Sequence, residues 1–250
     1  LTGKTHKAGG MLCSIIGFAI LREKGLLLPE VSEGIQWLVM YPFCIWGSLA
    51  SDLDHNPDSI PMKDIPSTAV NKVLHLTHPL VKTIEKASSE SERKKNVVYQ
   101  GAKFLDAKHR SWQTHSDLTL YVLIGLLYCI MNNKFTFLSA LDVSLLSIVL
   151  MGISLGIIAH FILDMITPEG VWCIPFVLVN AFLGIFNPRL KILPEKIHFV
   201  PHKKFFATGG KWEEFIQKVL KWATIVASIW FFFTLLVPDW KSLIPFTISF

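Results

Sequence analysis

Residues 143–164 read Val143-Ser-Leu-Leu-Ser-Ile-Val-Leu-Met-Gly-Ile-Ser-Leu-Gly-Ile-Ile-Ala-His160-Phe-Ile-Leu-Asp164. The run contains no Lys, Arg or Glu, and it exceeds the roughly 20 residues an α-helix needs to cross a hydrocarbon core about 30 Å thick. Its ionisable residues, His160 and Asp164, stand four apart near the end, so a continuous helix places them on one face. A histidine and a carboxylate at that depth are costly to desolvate unless a metal ion or a cationic side chain holds them.

Four further apolar runs, at about 8–27, 35–50, 118–138 and 219–237, predict an all-α integral membrane protein of about five transmembrane helices. Composition agrees: 51% of the 250 residues are apolar and 17% are charged, against about 25% in soluble domains. The mean hydropathy is +0.45. Arg22-Glu23-Lys24 follows the first run where a small-residue cleavage site would stand, so that run reads as a membrane helix and not a cleavable signal peptide. The apolar stretch 171–186 is short and contains Pro175 and Asn180; it reads as an interfacial or re-entrant segment. Cys13, Cys44, Cys129 and Cys173 fall inside apolar stretches without metal or redox spacing, as small hydrophobes do.

With five spans, the N-terminus, the long loop 51–117 and the loop 165–218 share one side, which holds 19 of the 24 Lys and Arg residues. That asymmetry predicts a cytoplasmic location for this side. The formal charge of +5 is spread among acids in loops between apolar runs, which suits membrane orientation; no direct nucleic-acid contact is expected. Residues 1–250 read as one membrane-embedded domain with a polar insertion at 58–108. Within and just beyond the insertion, 85–110 reads as a solvated helix or a mobile insertion to which no chemistry is assigned.

Four histidine and aspartate clusters fall on the predicted cytoplasmic side: His6, then Asp52-Leu53-Asp54-His55, then His109-Arg110 with His115, then His160 with Asp164. Their convergence predicts a metal centre with His6, Asp52, Asp54, His55, His109, His115, His160 and Asp164 as ligands. The cofactor expected is one or two divalent transition ions, zinc foremost for its affinity for imidazole, with manganese or iron also suited. Asp54 or Asp164 is the candidate general base, and Arg110 the candidate anion-binding group. The simpler alternatives are a His160–Asp164 hydrogen bond inside the bundle and a solvated helix cap at Asp52–Asp54. The hydroxyls of Thr114 and Ser116 are candidate N-caps for the third span. His75, His78, His198 and His202 lie in loops without carboxylates at ligand spacing and are expected at the surface or behind the ligands.

Three blocks carry a resemblance: Ser51-Asp-Leu-Asp-His55, His109-Arg-Ser-Trp-Gln-Thr-His-Ser116, and Ala159-His-Phe-Ile-Leu-Asp-Met-Ile-Thr-Pro-Glu-Gly170. They resemble the DxDH, HRxxTHS and HxxxDxxTxxG motifs of the LexA-binding, inner-membrane-associated, metal-dependent hydrolase family, the YdjM-like proteins. Thr5-His6-Lys-Ala-Gly-Gly10 resembles the family's start, and Thr208-Gly-Gly-Lys-Trp-Glu213 its late TG-E element. This chain differs in placing Ser111-Trp112-Gln113 between Arg110 and Thr114, where two residues are usual, and in its longer insertion.

The resemblance implies a multi-pass metal-dependent hydrolase of the inner or plasma membrane. The site's position at the interface and Arg110 together favour a phosphoester substrate, a membrane lipid or a lipid-linked molecule. The alternative is a membrane-tethered regulator or scaffold with a structural metal, docking a cytosolic protein partner; the family name records binding of a transcriptional repressor. A transporter ranks last, since the ionisable residues gather at one interface and do not line a path.

Overall fold

The fold is that of a computed structural model, which describes residues 2–54, 65–106, 114–132, 140–167, 170–186, 193–197 and 210–237. Among them lie ten α-helices: α1 (Gly3–Glu23), α2 (Glu33–Ala50), α3 (Ile65–Leu74), α4 (His78–Ala87), α5 (Glu90–Lys95), α6 (Val97–Leu105), α7 (Asp117–Met131), α8 (Ala140–Met165), α9 (Ile174–Phe186) and α10 (Lys211–Leu236). A 3₁₀ turn, Ser51–Asp54, follows α2. The all-helical reading holds apart from two short strands, β1 (Val171–Trp172) and β2 (Lys196–Ile197), paired antiparallel.

The helices begin and end where local chemistry dictates. Gly25, with φ of +64°, follows α1 and supplies a left-handed turn that a side chain would strain. The first helix therefore covers 3–23, where the apolar run predicts about 8–27. The last helix begins at Lys211, earlier than expected at 219, with Glu213 and Glu214 in its first turn where the helix dipole favours carboxylates. Ser116 takes the N-cap position of α7, but its hydroxyl makes no capping bond. Thr114 turns its hydroxyl to His115.

Helix α8 packs on α2, α1 and α7, while α10 packs on α1. The α2–α8 crossing is backbone-close: a Cβ at Gly156 would collide with the Cys44 carbonyl and the Ser48 amide, and one at Gly47 with the Ile153 carbonyl. Small residues permit such contact between membrane helices. Away from this crossing, Ile15, Phe18, Met40, Ile148 and Phe231 form the core.

Among the described residues, two helices are suited by length and composition to cross a membrane: Asp142–Met165, half buried in the bundle, and Lys211–Leu236, almost wholly exposed. On α10, Phe231 packs inward while Trp230, Phe232 and Phe233 face out. The polar insertion contributes α3 to α6, four helices where the sequence suggests a solvated helix or a mobile segment over 85–110. Its core is small, comprising Val81, Tyr99 and Ala102 with Ile84 against them.

Candidate metal centre

The antiparallel course of α1, α2, α7 and α8 brings the start of α1, the end of α2, the residues before α7 and the last turns of α8 to one end of the bundle. There His6, Asp52, His115, His160 and Asp164 meet, the three histidines and Asp164 inaccessible and Asp52 8% exposed. Asp164 is the hub: its Oδ1 lies 3.4 Å from His6 Nε2, and its Oδ2 lies 3.5 Å from His115 Nε2 and 3.3 Å from His160 Nε2. Asp52 Oδ1 stands 3.6 Å from His115 Nε2 and 4.0 Å from His160 Nε2. The His6 and His160 rings stack at 3.8 Å, tilted by 15°. Two overlapping ligand triads result, His6–His160–Asp164 and Asp52–His115–His160.

Each donor has a support. The Ser48 carbonyl, in the last turn of α2 where carbonyls lose helical partners, lies 2.8 Å from His160 Nδ1. A carbonyl only accepts, so Nδ1 carries the ring proton and Nε2 presents a lone pair to the site. The Gly156 crossing makes this bond possible, because Gly156 and Ser48 are in backbone contact one turn away. His115 is held through its own carbonyl, which accepts from Trp172 N–H at 2.9 Å, and through Thr114 Oγ1 at 3.1 Å from Nδ1. Thr167 donates its hydroxyl to the Asp164 carbonyl at 2.7 Å and closes α8. Gly170, with φ of +61°, then turns the chain into β1.

Sequence reading gave Glu213 no task beyond the late TG-E element. It is buried, and its Oε1 accepts from Thr5 Oγ1 at 2.7 Å and from the Thr2 backbone N–H. The pairing ties α10 to the turn of α1 that carries His6. The signal available in sequence was a carboxylate at the start of an otherwise apolar helix.

The spacing fits an ion. Donors about 2.0–2.2 Å from a tetrahedral metal stand roughly 3.3–3.6 Å apart, whereas a hydrogen bond closes to about 2.7–3.2 Å. Burial pushes the Asp52 carboxyl up, but the His115 hydrogen bond and the charges of His160, His6 and His115 outweigh it and hold it below the usual carboxylate range.

Of the expected ligands, His6, Asp52, His115, His160 and Asp164 are brought together. His55, His109, Arg110 and the Asp54 side chain lie outside the described residues, as do His198 and His202. Asp54 closes the turn that carries Asp52. The expectation for His75 and His78 is corrected: both face a carboxylate, Asp106, with Nδ1 to oxygen distances of 3.1 and 2.9 Å. The partner stands 31 and 28 residues away, beyond the reach of a spacing argument.

No curated protein and no solved structure matches the chain. Among protein families, the one described as YdjM inner membrane protein matches residues 1–238, a span that takes in all ten helices and all five assembled donors, and the chain belongs to that family.

Proposed function

We propose that this inner-membrane family member crosses the bilayer five times, through α1, α2, α7, α8 and α10, and acts as a metal-dependent hydrolase at the cytoplasmic face. At 1.5 Å per residue, the 21 residues of α1 and 18 of α2 extend about 31 and 27 Å, enough for a span. The 13 residues of α9 reach only about 20 Å, which suits an interfacial or re-entrant segment. The excess of Lys and Arg in the loops flanking the centre favours the cytoplasm for that end.

One observation carries the functional reading. The His160 Nε2 lone pair points at the Asp164 carboxylate and at His115 Nε2, each 3.3 Å away. Imidazole lone pairs and carboxylates gathered in a buried site favour positive charge between them, which a bound cation supplies. Three imidazoles and two carboxylates fit a transition metal, zinc first and manganese or iron next, and the two triads allow one or two ions.

When bound, such a metal acidifies water and polarises the scissile group. Asp164 is our candidate to accept a proton from the attacking water, with Asp54 the alternative read from sequence. Arg110 holds the substrate's anion. Asp52, the most accessible of the five donors, marks where substrate enters from the aqueous side. A site at this depth, in a chain whose sequence offers Arg110 as an anion-binding group, suits a phosphoester of a membrane lipid or a lipid-linked molecule.

The second reading is a regulator or scaffold that docks a cytosolic protein and whose metal is structural. It draws on the burial of the donors, since five protein donors can saturate a single ion and leave no open position. Purified, metal-loaded protein assayed against phospholipids and lipid-linked phosphates separates the two. Hydrolysis that disappears with the metal in the His160→Ala/Asp164→Ala variant supports the enzyme. Full metal with no turnover favours the scaffold, and a metal content undiminished in the double variant removes the site itself.

A further inference from the structure

We infer that the polar insertion holds a second metal site, built from His75, His78 and Asp106, which takes a divalent transition ion and staples the insertion together. His75 sits in the turn after α3, His78 opens α4, and Asp106 follows the last residue of α6. Three segments thus deliver two imidazoles and one carboxylate to one point, with a donor atom from each within 4.8 Å of the others. The rings meet the carboxylate from different directions, their planes 80° apart and their centroids 5.7 Å apart. His75 and Asp106 are buried, while the His78 side chain keeps 25% exposure and gives an ion a path from solvent.

The surroundings explain what a metal would do there. The helices of the insertion have 10, 10, 6 and 9 residues, and their shared core is little more than Val81, Tyr99, Ala102 and Ile84. Val73, Leu76, Val97, Val98 and Leu105 remain exposed. Units near 40 residues seldom bury enough apolar surface to be stable alone and commonly rely on a metal or disulfide. Helix α3 is anchored to the bundle by Trp46 Nε1–H on Ser67 Oγ at 3.1 Å and by the Asn71 amide on the Leu53 carbonyl. An ion at His75, His78 and Asp106 carries that anchorage from the end of α3 to the end of α6.

Nitrogen and carboxylate donors in this ratio suit zinc, with cobalt as a spectroscopic substitute. Without an ion the carboxylate accepts from the Nδ1–H groups at hydrogen-bond distances. On binding, each neutral imidazole moves its proton from Nδ1 to Nε2 by exchange with solvent, the ion takes the freed Nδ1 lone pairs and a carboxylate oxygen, and the contacts widen by about 0.2–0.7 Å.

The test uses the full-length chain in detergent carrying His160→Ala/Asp164→Ala, so that the bundle-end centre cannot contribute and its failure cannot be confused with this one. Titration with Co²⁺ should fill a single site with the visible bands of nitrogen and oxygen coordination. Zn²⁺ should slow amide exchange across 78–105 by at least about tenfold. Adding His75→Asn/His78→Asn, whose amides still donate to Asp106 and preserve the fold, should abolish both signals. Absence of Co²⁺ binding in the parent, or binding unchanged in the asparagine variant, overturns the site and leaves a hydrogen-bonded His–Asp–His clamp.

Discussion

The bundle-end cluster and the insertion cluster are made of the same residue types, but the protein holds them differently. At the bundle end, Nε2 atoms and carboxylate oxygens stand 3.3–3.6 Å apart in most pairs. In the insertion, two Nδ1 atoms close on one carboxylate at 3.1 and 2.9 Å. The first set is carried by helices of 15 to 26 residues locked by a backbone-close crossing. The second is carried by the ends of short helices over a small core. Long packed helices can keep electron-rich groups at ion spacing, whereas a thin unit relaxes onto hydrogen bonds. If both clusters hold metal as proposed, the bundle end would be organised before its ion arrives, and the insertion would be organised by it.

The strongest way to break this comparison is Asp164→Asn. Its two oxygens face His6, His115 and His160, so removing the charge should lower hydrolysis about 10²–10⁴-fold, on the scale of losing a catalytic carboxylate. Metal content measured alongside should fall at the bundle end only. Simultaneous loss of the insertion's metal would show one coupled system and not two independently held sites.

Gly156→Leu attacks the preorganisation directly. The new side chain meets backbone atoms of Cys44 and Ser48, which cannot rotate away, so α2 and α8 must separate and the Ser48 carbonyl must leave His160. Overpacking of this kind costs about 1–3 kcal/mol. Thermal unfolding in detergent should register that loss, together with loss of metal, although no ligand has been changed. A variant that melts earlier yet keeps its metal would show that the crossing supports the fold without supporting the site.

The contrast between the clusters also follows what sequence could reveal. The i, i+4 pair His160 and Asp164 lay inside an unmistakable apolar helix, and alternation of spans placed His6, Asp52 and His115 at the same end. The glycine crossing was not legible, because Gly47 and Gly156 gain meaning only once α2 and α8 are known to touch. Nor was the Ser48 carbonyl, since backbone acceptors have no residue signature. Asp106 escaped because the fold of α3 to α6, and not spacing, carries it to His75 and His78. Thr114 and Ser116 were read as caps by residue preference, but Thr114 serves His115 and the Ser116 hydroxyl makes no cap.

Glu213 probes how far the preorganisation extends. Glu213→Ala leaves the Thr5 hydroxyl and the Thr2 N–H without their buried acceptor, at about 1–3 kcal/mol. The start of α1 should loosen and metal affinity should drop about 10–100-fold, as it does when groups that orient ligands are lost. Glu213→Gln retains an acceptor and should recover much of the affinity in a competition titration with a chelator. Equal affinity in all three proteins would confine the organised region to α2, α7 and α8.

The smallest effect belongs to the insertion. Ser89 and Glu92 form a reciprocal cap at the start of α5, with Ser89 N–H donating to Glu92 Oε2 at 2.8 Å. Removing the hydroxyl by Ser89→Ala should cost about 0.5–2 kcal/mol of local stability. In a unit with so little core, that should appear as faster amide exchange across α4 to α6 when metal is absent. Metal on His75, His78 and Asp106 should suppress most of the difference, because the ion joins the ends of the segment that contains the cap. The bundle end should not respond, since the altered helix packs chiefly on α4 and α6 within the insertion. A fall in bundle-end metal from so remote and minor a change would mean that the insertion helps to hold the 3₁₀ turn bearing Asp52, and the two clusters would have to be read as one.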